Sequence, residues 1–281
     1  MPTVVITGAN GFIGSYLVSF FTNKGWKVKA LVHNMPQQSL TGVEYHLHNL
    51  LSAPDEKVFQ DVDYFIHCAY AKGDFELNVT GTKQLLEMSR KCGVKKNIFI
   101  SSISSIENAL SVYGKQKWAC EKLLEVSKDL IIRPGLVLGD GGLFGQMREY
   151  LKTKQTIPLI SGGTQPMQTV FINDLAECIF TCMDKNLRGV FTIASEEKTL
   201  YKEFYTLLCS TLNTKPKFVS VPYGLFYFML SISESIGIKL PVSRENLLGL
   251  KQLKYVDTTE DLKKIGITLK NARESLQALS L

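Results

Sequence analysis

The chain has 281 residues, 45% of them hydrophobic and 21% charged, with a formal net charge of +6. That length supports a large core, in one big α/β domain or in a main domain with a smaller partner. The basic residues are scattered, so the charge excess fits a solvated surface or an anionic small-molecule ligand, and no nucleic-acid motif is present. The six cysteines (68, 92, 120, 178, 182 and 209) form no Cys-x-x-Cys pair, so no metal site is expected and the chain reads as a reduced, cytoplasmic protein. It opens straight into a β-strand, so no signal peptide is expected.

The first strand, Thr3 to Thr7, has no polar face, which predicts the buried centre of a parallel sheet. Three glycines follow at three-residue spacing, Gly8, Gly11 and Gly14, and an apolar helical pattern (Phe12, Ile13, Leu17, Phe20, Phe21) comes next. Gly8 permits the tight turn, Gly11 lets backbone approach a pyrophosphate, and Gly14 lets the helix pack close to the sheet. The free N–H groups at the helix start then face the phosphates of a dinucleotide. The spacing departs from Gly-x-Gly-x-x-Gly, so the strand–turn–helix context carries the assignment.

A second strand, Lys27 to Val32, ends in His33-Asn34, where an acidic residue would bind the ribose 2′-hydroxyl of NAD. Nothing there repels a 2′-phosphate, which slightly favours NADP(H) over NAD(H), although no arginine grips one. Further strands are predicted near Tyr45–His48, at Tyr64–His67 and at Asn97–Ile100, with a helix opened by Asn78-Val79-Thr80-Gly81-Thr82. The last of these strands runs into Ser101-Ser102, and a helix carrying Tyr113, Lys117 and Glu121 precedes the strand Leu130–Ile132. Strand and helix alternate, which predicts a doubly wound parallel sheet with ligands at its carboxyl ends.

Past Gly139 helices are expected around Phe144–Lys154 and Val170–Asp184, the latter after a short extended entry, with one more strand at Val190–Ile193. From Leu200 the chain reads as mostly helical, with pieces near Leu200–Leu212, Tyr223–Ile236, Arg244–Lys251 and Asn271–Leu281. The most apolar run, Val219 to Ile232, is broken by Pro222 and Gly224 and is too short to span a bilayer. A buried or dimer-forming helix is expected there, with an interfacial anchor as the alternative. The expected division is a dinucleotide-binding domain of residues 1–138 and 168–195 and a smaller, mainly helical substrate-binding domain of residues 139–167 and 196–281.

Tyr113 and Lys117 stand four residues apart and share a helical face. An ammonium there would favour the ionised phenol and draw its pKa down from about 10. A tyrosine so tuned exchanges a proton with a carbonyl or alcohol oxygen while hydride moves, and Ser102 can bond the same oxygen. Tyr70, Phe144, Tyr223 and Phe226 are candidates for a substrate pocket or for core.

These motifs resemble the extended short-chain dehydrogenase/reductases, of the NAD-dependent epimerase/dehydratase kind. The likeness runs nearly full length, through Thr7–Gly14, His67-Cys68-Ala69, Asn78–Thr82, Phe99–Ser102, Tyr113–Lys117, Arg133-Pro134-Gly135 and Ile172–Leu175. It implies Tyr113 as acid/base, Lys117 on the nicotinamide ribose, Ser102 orienting the substrate oxygen, and Asn78 mainly bracing the sheet beside the cofactor. The cofactor-binding residues it implies are Gly8, Asn10, Gly11, Phe12, Ile13 and Gly14, then His33, Asn49, Leu50, Cys68, Ala69 and Tyr70. Asn78, Tyr113, Lys117, Pro134 and Gly135 complete them. Asn49 stands where the family places an Asp at the adenine edge, and a homodimer is implied through helices flanking the tyrosine.

Two departures bear on substrate. The Ser102–Tyr113 connection is short, and Met167-Gln168 occupies the place where diphosphate-gripping members often carry an arginine, with Arg148 or Arg244 as possible substitutes. The best expectation is a nucleotide-sugar keto reductase or epimerase. A dehydratase fits less well, because no carboxylate follows Ser102 before Glu107. The alternatives are a ketoreductase for a lipid or phenolic alcohol and a non-catalytic dinucleotide-binding scaffold.

Overall fold

Seven parallel strands form the centre of the molecule in a computed structural model that describes residues 1–235 and 243–279. The chain first lays down β1 (Thr3–Thr7), α1 (Phe12–Asn23), β2 (Lys27–Val32), β3 (Val43–Leu47) and the one-turn α2 (Glu56–Phe59). It continues through β4 (Tyr64–His67), α3 (Phe75–Lys91), β5 (Lys96–Ile100), α4 (Val112–Glu121) and β6 (Leu130–Pro134). Next come β7 (Leu136–Leu138), α5 (Gly142–Thr153), β8 (Thr156–Ile160), β9 (Pro166–Met167), β10 (Thr169–Phe171), α6 (Ile172–Asp184) and β11 (Gly189–Ile193). The remainder is β12 (Thr199–Leu200), α7 (Tyr201–Thr211), β13 (Lys217–Val221), α8 (Tyr223–Ser235), α9 (Arg244–Gln252), α10 (Thr259–Ile265) and α11 (Ala272–Ala278). The expected helix ends at Ile236 and Leu281 lie outside the described residues.

The sheet order is β11-β6-β5-β4-β1-β2-β3. The chain leaves β1 toward β2 and β3, then returns to β4 on the other side, so the order reverses between β1 and β4. Ligands of open α/β sheets bind at that reversal, outside the carboxyl ends of the strands. Every residue of β1 is buried, as a central strand with no polar face requires, whereas β3 at the edge is half exposed. One apolar cluster (Ile6, Leu17, Phe21, Leu175, Ile179) packs α1 and α6 on one face, and another (Val5, Phe65, Leu85, Phe99, Ile131) packs α3 on the other.

A separate core joins Leu138, Phe144, Leu151, Ile157, Phe204, Leu208 and Leu276, and a smaller one joins Ile160, Phe226, Leu230 and Leu247. Two short parallel strands, β8 and β13, bind these cores together, so the C-terminal part is less helical than expected. The helix α10 lies late in the chain yet returns to the sheet. Its Ile265 joins the core under α6, and Asp261 accepts from the Thr192 N–H at 2.8 Å.

Candidate active site

The glycine turn has the tight geometry expected of it. Gly8 takes φ +65, and a Cβ there would stand 2.7 Å from the Ala69 backbone nitrogen. A Cβ on Gly14 would meet the Gly8 carbonyl at 2.2 Å, so helix and strand end touch backbone to backbone. At Gly11 the only neighbour within reach is the Gly8 oxygen, at 3.1 Å, which leaves the turn open outward. Gly11 caps α1 with no side-chain hydrogen bond, and the first turn carries no acid. The leading N–H groups of this helix are therefore left for an anion, the arrangement a pyrophosphate needs. Phe12 packs beneath a second glycine turn, where a Cβ on Gly139, Gly141 or Gly142 would stand 2.8 Å from its ring.

The carboxyl ends of β1 and β4 are locked by a buried chain of hydroxyls around His67. Its Nδ1 pairs with Thr7 Oγ1 at 2.6 Å and its Nε2 with Thr82 Oγ1 at 2.9 Å. Thr7 Oγ1 also accepts from the N–H groups of Cys68 and Ala69. Burial holds the imidazole neutral, with its pKa driven down to about 3. Asn78 spends its amide on the Ala71 backbone and on the Asp74 carbonyl. It thus braces the turn after β4 rather than facing a ligand directly.

At the end of β2, His33 is exposed and its backbone N–H donates to Asn10 Oδ1 at 3.0 Å. Asn49 Oδ1 accepts from the Leu51 N–H at 2.9 Å, closing its own turn. Leu50 is buried against α3, where a Cβ on Gly81 would meet it at 2.8 Å.

Ser102, Tyr113 and Lys117 converge beyond β5. Ser111 caps α4 by accepting from the Gly114 N–H, and a Cβ on Gly114 would stand 2.5 Å from the Ser104 carbonyl, so helix and loop are in backbone contact. The Ser102 hydroxyl accepts from the Ser104 N–H at 3.1 Å in this loop and lies near enough to Tyr113 to pull its pKa down. Glu245 and Gln252 of α9 fasten the rest of this short loop by accepting from the N–H groups of Val112 and Leu110. Tyr70 stands edge-on to Tyr113, ring centroids 5.2 Å apart, and its hydroxyl donates to Gln116.

The expected activation of the phenol by Lys117 is corrected here. Burial of the hydroxyl pushes the Tyr113 pKa up to about 12, against the smaller pull of Ser102, although 36% of the residue opens on the cleft. Lys117 Nζ lies 6.0 Å from the Tyr113 ring and donates to the Ile100 carbonyl at 2.7 Å. Burial also lowers the lysine, to about 8. The distance and the competing carbonyl explain why the ammonium leaves the phenol protonated.

Sequence reasoning assigned Glu121 no role, and the structure supplies one. Its carboxylate accepts from two nitrogens of the Arg133 guanidinium, Nε and Nη2, accepts from Ser101, and is buried. This pair bolts α4 to β6 beside Pro134, and it ties the Glu121 carboxylate into the fold. Ile103 donates to the Pro134 carbonyl, and Gly135 packs 2.5 Å (as a Cβ) from the Gln168 carbonyl. Gln168 clamps the chain near Val256 by two hydrogen bonds, so it is spent inside the fold. Arg148 pairs with Asp140 at 2.7 Å, and Arg244 opens α9. Phe144 and Phe226 are core, and Tyr223 packs beside Phe226. Among the described residues no group of His, Cys, Asp or Glu is arranged to hold a metal ion.

A family model described as the NAD dependent epimerase/dehydratase family matches residues 4–194. The chain belongs to that family. A UDP-glucose 4-epimerase of Vibrio cholerae is 26% identical over 305 aligned positions, covering 93% of this chain and 90% of the relative. A ceramide reductase of Caulobacter vibrioides is 25% identical over 240, covering 78% of this chain and 73% of the relative. The crystal structure of MoeE5 in complex with UDP-glucuronic acid and NAD superposes with a TM-score of 0.75 at 20% identity, covering 99% of this chain and 97% of that one. That likeness confirms the Rossmann fold of the epimerase/dehydratase family.

Proposed function

We propose that this chain is an NAD(P)-dependent reductase or epimerase of a carbonyl/alcohol centre, best matched to a keto group on a nucleotide-linked sugar. The observation that carries the reading is the meeting of Ser102, Tyr113 and Lys117 at the carboxyl end of β5, one strand from the sheet's point of reversal. Gly8 to Gly14 would hold the pyrophosphate, His33 the adenosine ribose, and Asn49 with Leu50 the adenine. Cys68 to Tyr70, shaped by Asn78, would line the cofactor between the two ribose sites. Lys117 would hold the nicotinamide ribose, and Pro134-Gly135 would back the ring. When bound, the nicotinamide accepts or delivers hydride.

Tyr113, kept protonated by burial, gives its proton to the substrate oxygen as the carbon takes up hydride, and Ser102 fixes that oxygen by a hydrogen bond. A protonated phenol suits the reducing direction. The absence of a carboxylate at His33-Asn34 supports NADP(H) in a family named for NAD. A division into a dinucleotide-binding lobe and a smaller substrate lobe, with α10 returning to the former, fits the separate cores.

One observation favours a second reading, a ketoreductase for a lipid-like alcohol. The place of the diphosphate arginine is taken by a clamped Gln168, and Ile106 and Leu110 stand exposed on the loop between Ser102 and Tyr113. Turnover of UDP- or dTDP-keto-sugars against long-chain ketones, with NADPH and NADH and a Tyr113→Phe control, separates the two readings. Cofactor binding with no Tyr113-dependent turnover of either class would leave the scaffold reading.

A further inference from the structure

Helix α8 is apolar on two faces, and the fold covers only one. Phe226 and Leu230 are buried against Ile160 and Leu247. Leu225, Phe228, Met229 and Ile232 recur at i, i+3, i+4 and i+7 and are 53%, 61%, 51% and 46% exposed. Scattered exposed leucines are ordinary, but a continuous stripe with an aromatic at its centre is not. The surroundings are mainly basic. Lys215, Lys217, Lys251 and Lys254 are exposed, and no Asp or Glu occurs from Phe204 through Ser233 or from Asn246 through Val256, while Glu234 near the end of α8 and Glu245 at the start of α9 are the acids between those stretches. Lys217 lies on the strand that leads directly into the helix, and Lys251 Nζ stands 4.7 Å from the ring of Tyr223 at its first turn. Among the described residues no helix is long and apolar enough to cross a membrane, so insertion across a bilayer is not what the stripe serves.

We propose that α8 docks on a bilayer surface bearing anionic headgroups, with Leu225, Phe228, Met229 and Ile232 entering the acyl boundary and the lysines meeting phosphates. An apolar stripe supplies burial and an excess of lysine around it supplies charge complementarity, the two contributions that hold an interfacial helix. A second copy of the chain would cover the stripe equally well but would set the excess of lysines against itself across a two-fold axis, which an anionic surface does not. Because α8 packs on α9, and α9 fastens the loop between Ser102 and Tyr113, docking sets the mouth of the cleft close to the membrane. The proposal is independent of which carbonyl compound is turned over.

The test is co-sedimentation of the full chain with vesicles of phosphatidylcholine alone and of phosphatidylcholine with phosphatidylglycerol, alongside sedimentation velocity without lipid. The expected result is binding to the anionic vesicles that weakens with salt, falls about fivefold in Lys217→Gln, and is lost in Phe228→Glu/Met229→Glu. Those variants must keep the wild-type circular dichroism and melting temperature, and Leu225→Ser with Ile232→Ser supplies a second, uncharged disruption of the stripe. No binding of the folded wild type to either vesicle would overturn the proposal. So would a dimer, without vesicle binding, that Phe228→Glu/Met229→Glu dissociates, since it would assign the stripe to a second copy.

Discussion

Lys117 Nζ donates to the Ile100 carbonyl at 2.7 Å, so the ammonium that helical spacing sets beside Tyr113 is held by the strand rather than by the phenol. With its pKa lowered to about 8 by burial, the folded lysine releases its proton below the value of 10.5 that it has when unfolded. Between those limits the unfolded chain binds the extra proton, so this residue makes stability rise with pH, and below about 8 its burial cost is carried in full. Denaturant unfolding of wild type and Lys117→Met should therefore show the difference shifting in favour of wild type from about pH 8 to about pH 10. A difference constant with pH would contradict the buried ammonium.

His67 gives the opposite limb of the pH profile. Its folded pKa of about 3 lies under the ordinary 6.5, so the unfolded chain takes up a proton that the buried imidazole refuses as pH falls. Stability should drop from about pH 6.5 downward, approaching about 1.4 kcal/mol per pH unit from this residue alone. In His67→Gln that slope should vanish between about pH 6 and about pH 5, ahead of carboxylate titration. Thermal or denaturant unfolding of both proteins across this range checks it.

The Glu121–Arg133 pair predicts a large stability effect without direct loss of chemistry. In Arg133→Met the carboxylate stays buried without its partner, which costs about 3–5 kcal/mol. The double variant Glu121→Leu/Arg133→Met should recover most of that loss, since paired removal leaves no orphan charge. Equal destabilisation of single and double variants would show that packing, not charge, joins α4 to β6.

Two glycines of the same turn should fail differently. Gly14→Ala drives a Cβ to 2.2 Å from the Gly8 carbonyl and should destabilise the fold by about 1–3 kcal/mol, as overpacking does. Gly11→Ala meets only one atom, at 3.1 Å, and should leave the melting temperature close to wild type while weakening cofactor affinity. Paired melting curves and cofactor titrations separate the two.

The sheet and its order of elements were legible because buried strands and amphipathic helices write their periods locally: β4 falls on the residues expected, and β1 lies in the apolar stretch that runs into Gly8. The pairing of β8 with β13 was not, because Thr156–Ile160 is interrupted by Pro158, and Lys217–Val221 alternates only weakly and pairs with residues 61 positions earlier (Lys217 with Thr156). Helix α10 was overlooked, though Glu260 and Asp261 in its first turn, Lys263 and Lys264 in its last and the left-handed Gly266 after it are signals a closer reading can use. Side-chain roles fixed by tertiary approach stayed hidden. Glu121 finds Arg133 and Gln168 finds Val256 only once strands and loops are in place.

The proposed function requires the Gly8–Gly14 turn to hold a nicotinamide dinucleotide beside Tyr113. The most direct measurement is titration of the purified protein with NADPH and NADH by nicotinamide fluorescence, wild type beside Gly11→Asp. Saturable binding of at least one cofactor, abolished by a carboxylate set in the phosphate turn while the fold persists, is the predicted result. Binding of neither cofactor by the folded wild type would contradict the account.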